Sequence, residues 1–481
     1  MTATQPIRTV AILGGGIVGS SAARAFARAV PQIRVTLIET PADPAALADR
    51  LPGCLPAINP FHAWIGLSEA GLVREGVATH RLGTRFENWS ADGTAWIHAF
   101  GDHGLPAAGI AFHQLWLRGG ALPFDRYNVA AALLRADKFV HPQPDPASSL
   151  STFDYALRID PAGYAAALRR DCPAQIVSGA LAGLDRRRDG GLAALILADG
   201  RRIEADLFLD CAGPSAPLLS ALDPAFESWE SWLPCDRLLL ATAPAADAAL
   251  SDTVSAADFG WRWRDRDFHA LAYAAALTDD AAATAKFRQR EIEPIRLRPG
   301  RRPRPWIRNV VAIGDASIAV DPLESTNLHL AQSAIRQILD LLPSRDCLDI
   351  EIGEYNRRSA QQAMRVRDFL ALHYLRAGRT DGPFWQALKD RPLPLSLAHT
   401  LDQFETRGRL PFFEEETFDR DSWLAVLFGL GIRPRATQPT TGRIAPARSD
   451  PAIAALAQRL ADLPAHLPSY AEYLARISAQ G

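Results

Sequence analysis

The sequence predicts an α/β fold organised on a parallel sheet, and three observations lead to that prediction. An apolar segment, a glycine-rich turn, an alanine-rich segment and a second apolar segment follow one another in the first forty residues. An acidic residue, Glu39, ends the second apolar segment. Much further along the chain, another apolar segment ends in the dipeptide Gly314-Asp315. Apolar runs that alternate with helix-compatible runs are typical of a parallel sheet covered by helices.

The N-terminal elements follow from residue type. Thr9–Leu13 is a short apolar run of the kind that forms a buried parallel strand. Residues 14–19 make a turn, residues 20–29 are rich in alanine and favour a helix, and Pro31 ends that helix. Residues 34–38 then form the second strand, because β-branched and aliphatic side chains dominate there.

Later segments are predicted to return to this first sheet. Residues 192–203 predict a hairpin around Asp199-Gly200, and residues 206–210 predict a buried strand that rejoins the first sheet. Residues 354–375 contain neither glycine nor proline and predict a helix.

The chain shows no internal repeat and no separable linker, so we expect its parts to pack as one body. Residues 1–345 form the α/β module, with a β-rich region of about residues 93–300 inserted into it. Residues 346–481 form a helical C-terminal cap, interrupted by an irregular, proline-rich stretch at 429–450.

The composition excludes several classes of protein. The chain has 481 residues, a net charge of −2, 48% hydrophobic and 22% charged residues, so it is globular and lacks the basic face of a general nucleic-acid binder. It contains no apolar run long enough for a transmembrane helix and no signal-peptide pattern. Its five scattered cysteines have no metal-binding spacing. We therefore expect a cytoplasmic protein with reduced thiols, no bound metal, and no nucleic-acid or membrane partner.

The turn at residues 14–19 (GGGIVG) fits the dinucleotide-binding pattern G-x-G-x-x-G. Gly14 allows the tight turn, Gly16 lets the backbone approach a pyrophosphate, and Gly19 lets the helix pack against the strand. The helix N-terminus attracts the anion, and Glu39 can accept hydrogen bonds from ribose hydroxyls. The predicted contacts with the dinucleotide are Gly14, Gly16, Ile17, Val18, Gly19 and Glu39.

The distant apolar segment at residues 309–316 (NVVAIGDA) distinguishes FAD from NAD as the dinucleotide. It resembles the second FAD motif of flavin monooxygenases, whose aspartate binds the ribityl chain. Gly314 and Asp315 are therefore added to the predicted cofactor contacts. We assign FAD, and the predicted fold is a Rossmann-like FAD-binding fold of the flavin monooxygenase type.

Past this motif, residues 320–326 read V-D-P-L-E-S-T, which resembles the D/E-P-L-E-S-T-G segment of the flavin-dependent tryptophan halogenase family. Other family blocks are matched in the same order along residues 8–435. These blocks are residues 79–89 (THRLGTRFENW), 155–160, 210–213 (DCAG), 233–237 (LPCDR), 260–263 (GWRW), 367–385 and 428–431. The inserted sheet and the helical cap would then form the substrate region.

The resemblance implies a two-stage reaction. A separate flavin reductase supplies reduced FAD, which reacts with oxygen, and a bound chloride or bromide is converted to hypohalous acid. The acid travels through a tunnel to an electron-rich aromatic substrate, where a lysine and a glutamate direct it. Paired tryptophans, here Trp261 and Trp263, separate the flavin from the substrate; the alternative for this pair is the packed face of a strand.

The resemblance places the catalytic glutamate at Glu324, with Ser325 beside it. A carboxylate there can orient the electrophile or accept the ring proton; the alternative is an acid at a helix N-terminus. The family holds its halide on the backbone amides of a Thr-Gly step, which is Thr326-Asn327 here. Asparagine mimics the left-handed conformation of glycine best, so the site can survive with a side chain projecting toward the flavin.

Several departures from the family fall at catalytic positions. Counting back eight residues from Trp89 places Arg81 where the family has lysine, and only three of 52 basic residues in the chain are lysines. Arginine keeps the charge but deprotonates far less readily; the alternative role for Arg81 is a structural ion pair. Arg264-Asp265 replaces the Ile-Pro that normally follows the second tryptophan, and the family's G-E-A-T loop is absent, with residues 53–57 in its place.

The leading interpretation is an FAD-dependent oxidoreductase that uses FADH2 and O2 to halogenate an electron-rich, indole-like substrate. One alternative is a flavin-dependent monooxygenase or hydroxylase that has lost halogenation, and a second is a non-catalytic flavoprotein. The substrate, free or peptide-borne, is not determined by the sequence, and the oligomeric state is open, with a homodimer as the ordinary case.

Overall fold

The computed structural model of the protein describes residues 5–242, 249–264, 268–287 and 292–479. It divides into two compact, interleaved units. Unit 1 comprises Met1–Ala78, Leu157–Asp236 and Ile295–Met364. Unit 2 comprises Thr79–Ala156, Arg237–Pro294 and Arg365–Gly481. These boundaries differ from the predicted ones at 93, 300 and 345, and whether all parts pack as one body stays a prediction.

The strands, in chain order, are β1 (Thr9–Leu13), β2 (Arg34–Glu39), β3 (Ala78–Arg81), β4 (Gly83–Glu87), β5 (Trp96–Ala99), β6 (Ala156–Ile159), β7 (Gln175–Ser178), β8 (Leu181–Arg186), β9 (Leu192–Leu197), β10 (Arg202–Glu204), β11 (Leu207–Asp210), β12 (Glu227–Ser228), β13 (Arg237–Thr242), β14 (Ser251–Ala257), β15 (Gly260–Arg264), β16 (Phe268–Tyr273), β17 (Ile295–Arg296), β18 (Gly300–Arg301), β19 (Trp306–Ile307), β20 (Val310–Ala312) and β21 (Ile318–Ala319).

The helices are α1 (Ile17–Ala29), α2 (Ile58–Ile65), α3 (Glu69–Arg74), α4 (Phe112–Gly119), α5 (Val129–Arg135), α6 (Pro161–Arg169), α7 (Pro217–Leu222), α8 (Asp280–Phe287), α9 (Asn327–Asp340), α10 (Asp349–Leu375), α11 (Pro383–Leu388), α12 (Leu395–Arg407), α13 (Arg420–Gly429), α14 (Pro446–Asp462) and α15 (Tyr470–Ala479).

Unit 1 is built on a six-stranded sheet in the order β19-β20-β11-β1-β2-β7. The strands from β20 to β7 are parallel, and β19 pairs with β20 in the antiparallel sense. The strands carry apolar side chains, as in Thr9–Leu13, and these side chains are buried because helices such as α1 pack on the sheet. Helix α1 also packs against α6 and α9. The predicted return of a strand to the first sheet is confirmed by the pairing of β11 with β1.

Three local predictions in unit 1 are also confirmed. The hairpin consists of β9 and β10, and its turn residue Gly200 has a φ of 85°. The N-terminal helix forms, but α1 begins at Ile17 rather than at residue 20, because Gly16 already serves as its N-cap. The long helix without glycine or proline is the second part of α10, Asp349–Leu375.

Six strands of unit 2 lie side by side in a mixed parallel and antiparallel sheet, in the order β13-β16-β15-β14-β4-β5. Helices α11 to α15 follow in the chain, which confirms the helical C-terminal region. The irregular stretch before the last helices lies between α13 and α14 and contains a 3-10 turn at Pro439–Arg443. Apolar side chains of α5, α14 and α15 pack in a core that includes Leu133, Leu460 and Tyr470.

Candidate active site

The glycine turn of unit 1 connects β1 to α1 with almost no free space. Gly14 has a φ of 114°, and a Cβ there would lie 2.4 Å from the carbonyl oxygen of Cys211. A Cβ on Gly19 would lie 1.8 Å from the carbonyl oxygen of Gly14. Both positions therefore require glycine on steric grounds. The turn brings the N-terminus of α1, which is 13 residues long, to the carboxyl end of the sheet, where such folds bind phosphate groups.

A carboxylate that sequence reasoning missed lies at this helix N-terminus. Asp49 ends a 3-10 turn, Leu47–Asp49, and its Oδ1 accepts a hydrogen bond of 2.8 Å from the backbone N–H of Val18. Its oxygens lie only 2.2 and 2.5 Å from the position that a Cβ on Gly16 would occupy. Burial raises the pKa of Asp49 to about 6, against the lowering effect of hydrogen bonds from the backbone of Val18 and Ile17.

Glu39 ends β2, as predicted, and is held from two sides within unit 1. The guanidinium of Arg169 lies 2.6 Å from its Oε1, and the hydroxyl of Ser178 donates to its Oε2 at 2.9 Å. Arg169 also donates to the backbone carbonyl of Gly15 in the glycine turn. These contacts orient the carboxylate beside the turn, and they bring a cation, missed in the sequence, close to the predicted pyrophosphate position.

Asp315 follows β20 and is buried. Its Oδ2 accepts from the backbone N–H of Ala48 at 2.8 Å, and its Oδ1 accepts from the side-chain amide of Asn327 at 3.2 Å. Burial raises the pKa of Asp315 to about 7, although both hydrogen bonds lower it. The preceding residue, Gly314, has a φ of 66°. The chain thus positions a carboxyl group of raised pKa close to the glycine turn.

The Glu324 segment has unusual backbone geometry. Glu324 has φ 61° and ψ 8°, and Ser325 has a φ of 56°, so two consecutive residues with side chains adopt the left-handed conformation. Both are buried, as are Thr326 and Asn327. Left-handed residues other than glycine cost about 1–3 kcal/mol each and concentrate at functional sites. The strain is stored at the position where the sequence placed the catalytic glutamate.

The expectation for Asn327 is corrected in one respect, its backbone conformation. It is the first residue of the 14-residue helix α9 and is absent from the left-handed residues, so the left-handed turn precedes it by two residues. Its side-chain amide donates to Asp315 and, at 3.0 Å, to the carbonyl of Val320, and the projection of this side chain toward the flavin stays a prediction. These hydrogen bonds link the start of α9 to the Gly314-Asp315 step.

Arg81 lies in unit 2, at the end of β3, with about 1% of its side chain exposed. Its Nε is 2.8 Å from Oδ2 of Asp252, which is equally buried. Its Nη2 donates to the hydroxyl of Thr84 at 2.6 Å, and its guanidinium lies 5.2 Å from the ring centre of Phe100. This geometry favours the structural ion pair over a free catalytic cation. Asp252 was not found from the sequence because no local pattern marks it.

Trp261 and Trp263 lie on β15 of unit 2, and both side chains are buried on the same face of the strand. The indole N–H of Trp261 donates to the hydroxyl of Tyr374 at 2.7 Å, and its ring lies 6.1 Å from that of Trp89. Of the Arg264-Asp265 pair that follows, Arg264 points outward at the end of the strand, and Asp265 lies outside the described residues.

The predicted residues therefore divide between the two units. Unit 1 brings together the glycine turn, Glu39, Gly314, Asp315 and the Glu324 segment, and unit 2 holds Arg81 and the tryptophan pair. None of the five cysteines, all of which lie in the described part of the chain, forms a disulfide. In the described part of the chain, no helix is both long and apolar enough to cross a membrane.

The fold and the glycine turn of unit 1 define a dinucleotide-binding protein of the flavoenzyme class. The family model described as tryptophan halogenase matches residues 9–446. The structure is similar to BrvH, a flavin-dependent halogenase from Brevundimonas sp. BAL3, with 34% identity over 98% of this chain and 99% of that chain and a TM-score of 0.90. It is similar to Xcc4156, a flavin-dependent halogenase from Xanthomonas campestris, with 31% identity, the same coverage and the same TM-score.

The tryptophan 7-halogenase KtzQ of Kutzneria sp. (strain 744) is 27% identical to this chain over 98% of each sequence. The chain belongs to the tryptophan halogenase family. The predicted family, the α/β flavoprotein fold with a helical C-terminal region, and the assignment to a family of flavin-dependent enzymes are confirmed. The individual site residues stay predictions.

The residues of unit 1 fit a flavin dinucleotide in three respects. The glycine turn leaves no room for a Cβ at Gly14 or Gly19, Glu39 faces the turn, and Asp315 lies near the N-terminus of α1. One residue competes with that fit, because the Asp49 carboxylate lies over Gly16. Its oxygens stand where phosphate oxygens are expected.

Proposed function

We propose that this protein uses reduced FAD and O2 to halogenate an electron-rich, indole-like aromatic substrate, with chloride or bromide as the halide. The observation that carries the proposal is the strained, buried Glu324-Ser325 turn at the start of α9. The protein keeps this costly geometry within the P-L-E-S-T segment that its family shares. Bound reduced flavin would supply the electrons that activate O2, which is the oxidant, and the chain supplies binding, orientation and proton transfer.

Glu324 is the proposed catalytic residue. Its carboxylate is buried, so an acceptor oxygen at this point would interact strongly with an electrophile or with the proton that leaves an aromatic ring. Ser325 shares the strained turn, and its backbone N–H donates to the carbonyl of Pro322 at 3.1 Å. That hydrogen bond closes the turn that carries Glu324.

The start of α9 supports the proposed halide site at Thr326-Asn327. The helix has no acidic residue in its first turn, and Thr326 makes no side-chain cap. An uncapped helix N-terminus presents backbone N–H groups to an anion. The hydroxyl of Thr326 is buried without a hydrogen-bond partner in the described part of the chain, so it is available as a donor.

Arg81 is proposed to act indirectly, by structure rather than by contact with the reacting atoms. Its guanidinium is committed to Asp252 and Thr84. These contacts support a second candidate function, monooxygenation without halide. In the family, a lysine directs hypohalous acid, whereas Arg81, at the corresponding position, is held in an ion pair. A product assay separates the two candidates.

The assay uses the full-length protein with FAD, a flavin reductase as electron source, air, bromide or chloride, and a panel of free indoles and indole-containing peptides. Mass spectrometry that shows gain of a halogen supports halogenation. Gain of one oxygen that does not depend on halide overturns it in favour of the monooxygenase. Formation of peroxide alone with every substrate supports the non-catalytic flavoprotein.

Glu324→Gln provides the matched variant, with Glu354→Gln as control because Glu354 is a solvent-facing residue of α10 in the same unit. We expect Glu324→Gln to lose about 10²–10⁴-fold in product formation and to keep FAD binding. Equal activity of the two variants would assign Glu324 to structure alone.

A further inference from the structure

The Leu47–Asp49 turn engages two of the predicted cofactor contacts at once. Asp49 accepts from the N–H of Val18 at 2.8 Å, at the N-terminus of α1. The neighbouring N–H of Ala48 donates to Asp315 at 2.8 Å. Groups of the turn therefore occupy hydrogen-bonding partners at both expected cofactor positions: the N–H of Val18 at the pyrophosphate position and the carboxylate of Asp315 at the ribityl position.

This arrangement cannot coexist with a phosphate at the same place. The pattern G-x-G-x-x-G leaves out the side chain of its second glycine so that phosphate oxygens approach the backbone. In this protein, that space holds both carboxylate oxygens of Asp49, at 2.2 and 2.5 Å from where a Cβ of Gly16 would lie. The Asp49 carboxylate and the phosphate would then be two anions at one helix N-terminus. The partial positive charge of a helix N-terminus stabilises one negative group, and two would repel each other.

We infer that Asp49 is a built-in competitor of the cofactor's pyrophosphate, so that the Leu47–Asp49 turn must release the N-terminus of α1 before a dinucleotide binds there. The inference rests on the proposed function, because it takes the anion that binds at α1 to be the pyrophosphate of FAD. The apparent affinity for FAD is then the intrinsic affinity multiplied by the fraction of molecules in which the turn has moved. A reduced affinity of this kind suits an enzyme that exchanges flavin with a reductase.

Two further features agree with competition rather than with a permanent cap. The Asp49 carboxylate is partly buried, and burial raises its pKa to about 6. Burial therefore destabilises the charged form more than the hydrogen bonds from the backbone stabilise it. Asp315 is affected as well, because its pKa is raised first by burial and then by the charges of Asp49 and Asp43. A pyrophosphate can therefore bind at this cluster only when the Asp49 carboxylate has moved away or has been protonated.

The test measures binding, so it does not depend on turnover. Full-length wild type, Asp49→Ala and Asp49→Asn are titrated with FAD and, separately, with ADP, which carries the pyrophosphate without the isoalloxazine ring. Isothermal calorimetry at pH 8 gives Kd for each pair. The control is Asp199→Asn, an exposed residue of the hairpin in the same unit, which pairs with Arg201. Urea unfolding curves verify that each variant is folded.

We expect Asp49→Ala to bind both ligands about tenfold or more tightly than wild type, because the competing anion is gone. Asp49→Asn is expected to fall between the two, since its amide oxygen still accepts from Val18 but carries no charge. Asp199→Asn should match wild type. Unchanged or weaker binding of both ligands by folded Asp49→Ala and Asp49→Asn would overturn the inference.

A second arm repeats the titrations at pH 5.5, below the pKa of about 6. Wild type should approach the affinity of Asp49→Ala as its carboxyl group gains a proton, and an affinity gap that stays unchanged would contradict competition by charge. The charged and titratable groups around the turn are Asp43, Asp210, Cys211, Asp315, Glu39 and Arg169, and of these Asp315 has a pKa that the charge of Asp49 itself raises. Tighter binding by Asp49→Ala without any reaction product would keep this inference and reject the proposed function.

Discussion

The buried pair of Arg81 and Asp252 allows the sharpest test of how unit 2 is stabilised. Both side chains are about 1% exposed, and the Nε–Oδ2 distance is 2.8 Å. Removal of Asp252 leaves a buried guanidinium without its counter-charge, which costs about 3–5 kcal/mol. We therefore expect Asp252→Ala to lower the free energy of unfolding by that amount, equivalent to a fall in Tm of roughly 6–20 °C for a unit of this size.

Replacing both partners with apolar residues of similar volume should recover most of the loss. The double variant Arg81→Met/Asp252→Leu removes both charges, and such replacements are neutral or stabilising by about 1–4 kcal/mol in known cases. Part of that gain is offset, because Thr84 loses the hydrogen bond that Arg81 donates at 2.6 Å. A double-mutant cycle from urea unfolding, followed by far-UV circular dichroism, measures the coupling free energy directly.

Two results would refute this reasoning. One is an Asp252→Ala variant that loses less than about 1 kcal/mol, which is the range of exposed ion pairs. The other is a double variant no more stable than Asp252→Ala. The same proteins also decide the role of Arg81, because a folded double variant that forms product shows that the guanidinium positions structure only. A folded double variant without product shows that the reaction needs the Arg81–Asp252 pair.

Three further measurements follow from the structure. Tyr374→Phe removes the acceptor of the Trp261 indole N–H, and a buried donor left unsatisfied should cost about 1–3 kcal/mol in urea unfolding; a loss below the error of the measurement would show that the 2.7 Å contact adds no stability. Gly14→Ala places a Cβ 2.4 Å from the carbonyl of Cys211 at a φ of 114°, so FAD binding measured by flavin fluorescence should be lost, and normal binding would contradict the tight turn. Burial raises the pKa of Asp315 from 3.8 to about 7, so the folded protein binds more protons than the unfolded chain between these values. The free energy of unfolding should therefore fall as pH rises from 4 to 7, and Asp315→Asn should flatten that slope, unless the aspartate is ionised throughout.

Local chemistry was sufficient for the elements that make the dinucleotide site. The bounds of Thr9–Leu13 were predicted to the residue, and the strand that carries Glu39 was predicted to within one residue, because short aliphatic runs that are bounded by a glycine turn or by prolines leave few alternatives. The hairpin turn at Gly200 was predicted for the same reason, since Asp-Gly strongly favours a two-residue turn.

Contacts between distant segments could not be predicted in the same way. Asp252 lies far from Arg81 in the chain, and β14 and β4 bring them together only through parallel pairing. Asp49 has no motif around it, yet the Leu47–Asp49 turn places it on the N-terminus of α1. The left-handed Glu324-Ser325 turn also lay beyond prediction, because such strain persists only where surrounding packing imposes it.

The sequence by itself determined the family and the flavoprotein fold, and it contains few lysines and an arginine at position 81. Those properties depend on local pattern and on the order of motifs along the chain. Only the tertiary structure decided what these residues contact. It pairs Arg81 with a buried aspartate, turns the Asn327 amide toward Asp315, and sets Asp49 over Gly16. The physical reason is that charge pairing and burial depend on which segments meet in space, and that information is absent from any single stretch of sequence.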